Sequence, residues 1–203
     1  MYTPKHYKNE NIDEAIQFME RFNFGVMVSS DSDKPIATHL PFVISKVNDK
    51  IILTSHFAKT NEQTINIEEK EILTIFSEPH AYISPKFYDK KQNVPTWNYL
   101  AVHAYGKIEI IDNEKDVFFV LEHMISNFDS SYIEQWNDLT YDYKSKMVKG
   151  IVAFQIIVSE IQFKEKLSQN KTEKERKRII SDFAKSSSPN ENCIAEYMNN
   201  NKQ

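Results

Sequence analysis

Residues 25–57, GVMVSSDSDKPIATHLPFVISKVNDKIILTSHF, decide the fold. β-Branched and apolar residues alternate with polar ones in three runs. The two breaks between the runs, DSDKP and VNDK, carry the Asp, Asn and Pro that tight turns use. This is the pattern of an antiparallel meander with half-buried faces. Pro41 has no N–H to give to a ladder, so the second run, IATHLPFVIS, lies at a sheet edge or carries a bulge there.

Upstream, Ile12, Ala15, Ile16, Met19 and Phe22 recur at three- and four-residue spacing, which predicts a helix over 11–23 with Asn11 as its N-cap. Downstream, Thr60–Glu69 reads as a short amphipathic helix and EILTIF as a further strand. Next comes PHAYISPKFYDKKQNVPTWNYLAVHAYG, residues 79–106. Prolines at 79, 85 and 95 restrict the backbone there, and the stretch carries many aromatics, so it reads as a stiff, shaped loop. Its end continues into a long strand over 98–111, in which Gly106 marks a bulge or a close backbone approach.

Asn113 caps a helix whose apolar face is Val117, Leu121, Met124, Ile125 and Phe128, and the chain to Lys149 is helical in part. Gly150 opens a last strand, IVAFQIIVSEIQF. Thr172 and Glu175 have capping-box spacing before ERKRIISDFA. SSSPNEN breaks that helix, and a short C-terminal helix with an NNNKQ tail follows. The sum is an α+β chain of about six strands whose antiparallel sheet closes as a small barrel, with peripheral helices and a C-terminal helical tail. We divide it into 1–170, the barrel with its helices, and 171–203, a helical extension packed on it.

The chain has 203 residues, a formal charge of −4 and one cysteine, Cys193. One cysteine forms no internal disulfide. Neither a signal-peptide pattern nor an apolar run of membrane-spanning length is present, so a cytoplasmic protein without membrane contact is expected. The negative balance argues against a large nonspecific DNA-binding surface, which needs clustered Lys and Arg. The local run Lys174-Glu175-Arg176-Lys177-Arg178 is either a DNA contact or a solvated helix face.

Three constellations are candidates for chemistry. In Thr54-Ser55-His56-Phe57-Ala58-Lys59-Thr60-Asn61, a strand end runs into a helix start, where free N–H groups, Lys59 and the hydroxyls of Ser55 and Thr60 would cradle a phosphate. The plainer reading is an N-cap with a solvated lysine. Thr38-His39 lies within an apolar strand, where a histidine is either structural or ligand-facing. In Lys164-Glu165-Lys166-Leu167-Ser168-Gln169-Asn170, Ser, Gln and Asn follow the last strand as neutral donors and acceptors that suit binding better than catalysis; the plainer reading is a polar connection into the next helix. His39, His56, His80 and His103 lack metal-ligand spacing. No nucleophile elbow, P-loop or dinucleotide fingerprint occurs, and no catalytic acid–base set can be named.

Several segments together, MYTPKHYK, ATHLP, SHFAKTN, PHAYISPKFY, VPTWNYLAVHAYG, KGIVAFQI and KLSQNK, resemble the PaiB-type family of FMN-binding split-barrel proteins. That family is named for a negative regulator of protease synthesis and sporulation. The resemblance runs nearly end to end. It implies a six-stranded split barrel, a homodimer with FMN at the subunit interface, and a transcriptional regulator. The alternatives are a flavin-dependent oxidoreductase and a haem-binding or haem-degrading protein, with a histidine ligating iron. By position, Ser55, His56, Lys59, Thr60 and Asn61 would meet the phosphate, and Thr38 and His39 would lie by the isoalloxazine. Trp97, His103, Lys166, Ser168 and Gln169 would supply further cofactor contacts. The chain departs from the family pattern at Glu62-Gln63-Thr64, at Ser77-Glu78 before Pro79, and at Phe87.

Overall fold

The expected meander is present, but the run containing Pro41 is two strands. In a computed structural model that describes residues 1–31 and 34–201, β2 (Phe24–Asp31) pairs with β3 (Lys34–Pro41), in register from Phe24↔Pro41 to Asp31↔Lys34. β4 (Val43–Val47) pairs instead with β5 (Lys50–Ala58). Asn48 and Asp49 both take positive φ, 48° and 63°, as a two-residue hairpin turn requires. Of the DSDKP turn, Ser32 and Asp33 lie outside the described residues, as do Lys202 and Gln203 of the tail.

The other elements are β1 (Lys8–Asn9), α1 (Ile12–Arg21), β6 (Glu71–Phe76), β7 (His80–Ile83), β8 (Thr96–Ile111), α2 (Glu114–Phe128), α3 (Tyr132–Asp138), α4 (Tyr141–Val148), β9 (Ile151–Lys166), α5 (Glu173–Phe183) and α6 (Pro189–Asn200). The architecture is α+β with an antiparallel, barrel-like sheet of nine strands rather than six. The three additional strands are the Pro41 split and the short β1 and β7. Asn11 caps α1 by accepting from Asp13 and Glu14, and Asn113 caps α2 by accepting from Lys115. Thr172 and Glu175 form the capping box of α5.

The chain folds as two compact units. One comprises Met1–Ala15, Ser77–His103 and Gln162–Gln203, and the other Ile16–Phe76 and Ala104–Ile161. In the second unit the strands run β3-β2-β6-β8-β9-β5-β4. A single residue, Phe42, separates β3 from β4, which stand at opposite ends of that order. The sheet must therefore curl until its ends meet, and the absence of a β3–β4 ladder leaves it split rather than closed. Phe42 is fully buried, with ring centroids 5.6 Å from Phe76 and 6.4 Å from Phe154. Phe57, Leu53 and Met27 complete this core at 0% exposure. Against the sheet, α2 buries Val117, Val120 and Met124 with Val43, Val148 and Ala153.

In the first unit, β7 pairs with the start of β8, placing His80 opposite Tyr99 and Tyr82 opposite Trp97, while β1 pairs with the end of β9. The proline-bounded loop between β7 and β8 docks on α5. The Asp89 N–H donates to Glu175 Oε1 at 2.9 Å, and Arg178 donates to the Phe87 carbonyl at 2.8 Å and to Asp89. The Lys171 ammonium lies 3.8 Å from the Tyr88 ring centroid, and Phe87 meets Phe183 edge-on at 6.0 Å.

The predicted helix over 60–69 is absent. Two three-residue 3₁₀ turns, Glu62–Thr64 and Ile67–Glu69, stand there, separated by Ile65 and by Asn66 at φ 51°. Asn61 and Thr64 bond to local backbone groups and compete with helical pairing.

Gly106 is the close approach anticipated from sequence. A Cβ added there would lie 2.3 Å from the Ile157 carbonyl oxygen of β9, which belongs to the same unit. Gly106→Ala is expected to cost about 2–3 kcal/mol through forced strand displacement, read as a lower urea midpoint with an unchanged slope. An unchanged midpoint would show that the two strands separate freely.

Candidate functional site

The twelve candidate residues fall into two groups, one in each unit. In the second unit, Thr38, Asn61 and Gln63 form a ring of hydrogen bonds. The Thr38 hydroxyl donates to Gln63 Oε1 at 2.6 Å, and the Gln63 N–H donates to Asn61 Oδ1 at 2.9 Å. Asn61 Nδ2 closes the ring by donating to Thr38 Oγ1 at 3.0 Å. This ring joins β3 to the turn that follows β5. From sequence, Asn61 is expected at the phosphate and Thr38 by the isoalloxazine, and the structure joins the two directly; Gln63 stands out only as part of the Glu62-Gln63-Thr64 departure from the family pattern and is not among the candidates.

Lys59 and Thr60 project from that turn and are exposed. Among the described residues, neither the Lys59 ammonium nor the Thr60 N–H and hydroxyl has a hydrogen-bond or ion-pair partner. The Lys59 N–H is tied to the Gly150 carbonyl at 2.9 Å, and the Asn61 N–H to that of Ala58 at 2.9 Å. The turn is thus held at both ends and presents one cation and two neutral donors, a set that fits a phosphate. It does not have the helix dipole anticipated from sequence, because a single 3₁₀ turn aligns too few peptides.

Ser55 differs from the others. It is fully buried, and its hydroxyl donates to the Pro41 carbonyl at 2.6 Å, so it ties the end of β3 to β5. The neighbouring His56 is half-buried, and its Nδ1 is enclosed without a hydrogen-bond partner. Burial lowers its pKa. His39 is exposed on the edge strand, with its ring stacked 6.3 Å from that of Phe24, itself 64% exposed.

In the first unit, Trp97 is 51% exposed, with ring centroids 6.0 Å from His80 and 5.8 Å from Tyr82. His103 Nδ1 is enclosed and unpartnered, and burial is the main cause of its lowered pKa. Lys166 is half-buried beside the Thr96 hydroxyl, and burial, then Lys164, pull its pKa down. Ser168, at φ 59°, donates to the fully buried Asn98 at 3.0 Å. Gln169 spans its own loop, accepting from Leu167 N–H at 2.7 Å and donating to the Glu165 carbonyl at 2.6 Å. Ser168 and Gln169 therefore shape the segment, while Trp97 and Lys166 keep surface to offer a ligand.

The basic run on α5 is largely engaged within its unit. Arg176 donates to the carbonyls of Leu167, Met198 and Asn201, Lys177 pairs with Glu173 at 2.5 Å, and Lys174 lies 3.8 Å from Asp89. Among the described residues no group of three or more His, Cys, Asp or Glu gathers as a metal site. No described helix is long and apolar enough to cross a membrane.

Residues 1–160 match the family described as "Putative FMN-binding domain". The chain is 38% identical over 202 residues to the Bacillus subtilis protein named "Protease synthase and sporulation protein PAI 2", covering 98% of this chain and 96% of that one. An uncharacterized protein of Emericella nidulans is 29% identical, covering 80% of each chain. Among solved structures, the flavocytochrome Anf3 of Azotobacter vinelandii superposes with a TM-score of 0.63 at 12% identity, covering 81% of this chain and 72% of that one. A FAD- and haem-binding protein of Mycobacterium smegmatis gives 0.61 at 10% identity, covering 79% and 73%. The two structural likenesses carry the fold.

The lowered pKa of His56 has a consequence for stability. The unfolded chain binds a proton at this residue near pH 6.5, whereas the folded chain does so only at lower pH, so falling pH favours unfolding across that window. Denaturation between pH 7.5 and 5.5 should show stability falling with pH, and less steeply in His56→Gln. Equal slopes would remove His56 as a contributor.

Proposed function

We propose that this chain, which belongs to the FMN-binding-domain family, is a PaiB-like regulator that takes FMN at a homodimer interface. The observation that carries the regulatory reading is the near full-length identity to the Bacillus subtilis protein named for protease synthesis and sporulation. The flavin reading rests on the family match and on the Lys59–Asn61 turn, whose uncommitted cation and donors suit the flavin phosphate. Thr38, bonded to Asn61 of that turn, and the exposed His39 next to it in β3 are candidates for the ring system. Trp97, His103 and Lys166, in the other unit, form a separate set of candidate cofactor contacts.

When bound, FMN supplies hydride and electron chemistry; the protein's residues supply binding and orientation. No side chain in either group forms an acid–base pair suited to a committed reaction, so we assign a sensing role ahead of an enzymatic one. With the α5 cations engaged locally, regulation is assigned to ligand state or a partner protein rather than to operator contact by that helix. The cell compartment assigned is the cytoplasm. Haem is the second reading, favoured by the exposed His39 on the edge strand.

The test is the visible spectrum of natively expressed protein, followed by FMN and haem titration. Flavin absorption with saturable FMN binding is expected, and a Soret band without it would transfer the assignment to haem. Lys59→Ala should weaken FMN binding about five- to tenfold with unchanged secondary structure, as befits one partly exposed charge–phosphate contact. Unchanged affinity would remove Lys59 from the phosphate site. Sedimentation velocity at micromolar concentration should show a dimer, and a monomer would count against an interfacial cofactor.

A further inference from the structure

We infer that Gln63 is a positioning residue for the phosphate-facing turn, acting through Asn61 and Thr38 without touching the ligand; this rests on the flavin reading above. Gln63 is 1% exposed, although it lies in a polar three-residue turn. Its Nε2 faces the Met27 carbonyl at 3.3 Å, the Ser29 hydroxyl at 2.9 Å and the Ile36 carbonyl at 3.2 Å. Met27 and Thr38 are opposed in the β2–β3 ladder, as are Ser29 and Ile36. The amide therefore sits across two register pairs of one hairpin while its backbone belongs to the turn after β5.

A buried primary amide is costly unless its donors and acceptor are engaged, and an apolar side chain of similar volume packs without that cost. What the amide adds is direction. Both ends of the side chain are satisfied, and the backbone N–H of the same residue fixes the Asn61 carboxamide. Asn61 is thereby aimed at Thr38, and the peptide that carries Lys59 and Thr60 is left one orientation between β5 and the ring. A satisfied polar network of this kind specifies geometry more than it adds stability.

A positioning role separates from a merely structural one because FMN and riboflavin share the ring system and differ in the phosphate. We therefore compare the affinities of full-length wild type, Gln63→Leu, Ser29→Ala and Lys59→Ala for both flavins by fluorescence quenching. Gln63→Leu should lose about tenfold for FMN and no more than about two- to threefold for riboflavin, whose ring would feel only the release of Thr38, with a cooperative thermal transition retained. Ser29→Ala removes one partner of the amide from outside the candidate site and should give a smaller loss, about threefold, confined to FMN. It keeps the test decisive if Gln63→Leu does not fold.

Equal losses for both flavins, or no loss, would overturn the positioning role. If Lys59→Ala selectively weakens FMN while Gln63→Leu and Ser29→Ala do not, the inference fails and the phosphate assignment stands. If wild type binds the two flavins equally, or binds neither, the phosphate assignment fails and takes the inference with it.

Discussion

One covalent constraint organises the second unit: Phe42 alone joins two strands that stand at opposite ends of the sheet order. A flat sheet cannot satisfy that connection, because strands spaced about 4.8 Å apart would place its two ends tens of ångströms from each other. Curling removes the conflict and creates an interior. The residue at the corner is then driven inward, and Phe42 becomes a wholly buried ring among Phe76 and Phe154. Pro41 ends the β3 ladder at the point where pairing must stop, and the Ser55 hydroxyl takes up its carbonyl. The local chemistry of three residues thus agrees with the global curvature.

The candidate site inherits this geometry. Because the sheet ends are brought together, the edge strand β3 comes within hydrogen-bonding reach of the turn after β5, and Thr38 can meet Asn61 and Gln63 across 25 positions of sequence or fewer. Without the corner, those residues would lie on opposite edges. The ring they form is consequently a product of the topology, and its polar members stand where an ordinary edge would carry solvent-facing charges.

Much of this was legible from the residues. Alternation gave the strands, Asn11, Asn113 and the Thr172/Glu175 pair gave helix starts, and Gly106 announced a close approach that a Cβ would occupy. Pro41 signalled an edge, but the partner exchange at Phe42 depends on which distant strand is available, which no local pattern records. The helix expected over 60–69 failed for a related reason: its apolar spacing was right, but side chains of Asn61, Gln63 and Thr64 found better partners in the turn and the hairpin. His56, Ser55 and Lys59 looked like one motif in sequence. Alternation sends them to different environments, one hydroxyl inward, one imidazole half-buried and one ammonium to solvent.

Losing the helix at residue 60 changes how a phosphate would be held. A helix N-terminus contributes a fixed field worth about 0.3–1 kcal/mol at an exposed site. The turn offers instead an exposed lysine and neutral donors, whose strength depends on how little they must rearrange when an anion arrives. Charge at such an exposed position is screened by salt within about 8 Å at physiological ionic strength. Preorganisation is then the lever left to the protein, and the buried amide of Gln63 is where the fold applies it. The exposed Glu62 beside this turn sharpens the same point: with a carboxylate in the neighbourhood, net charge alone is a poor attractor for a dianion, and the direction of the Lys59 and Thr60 donors has to compensate.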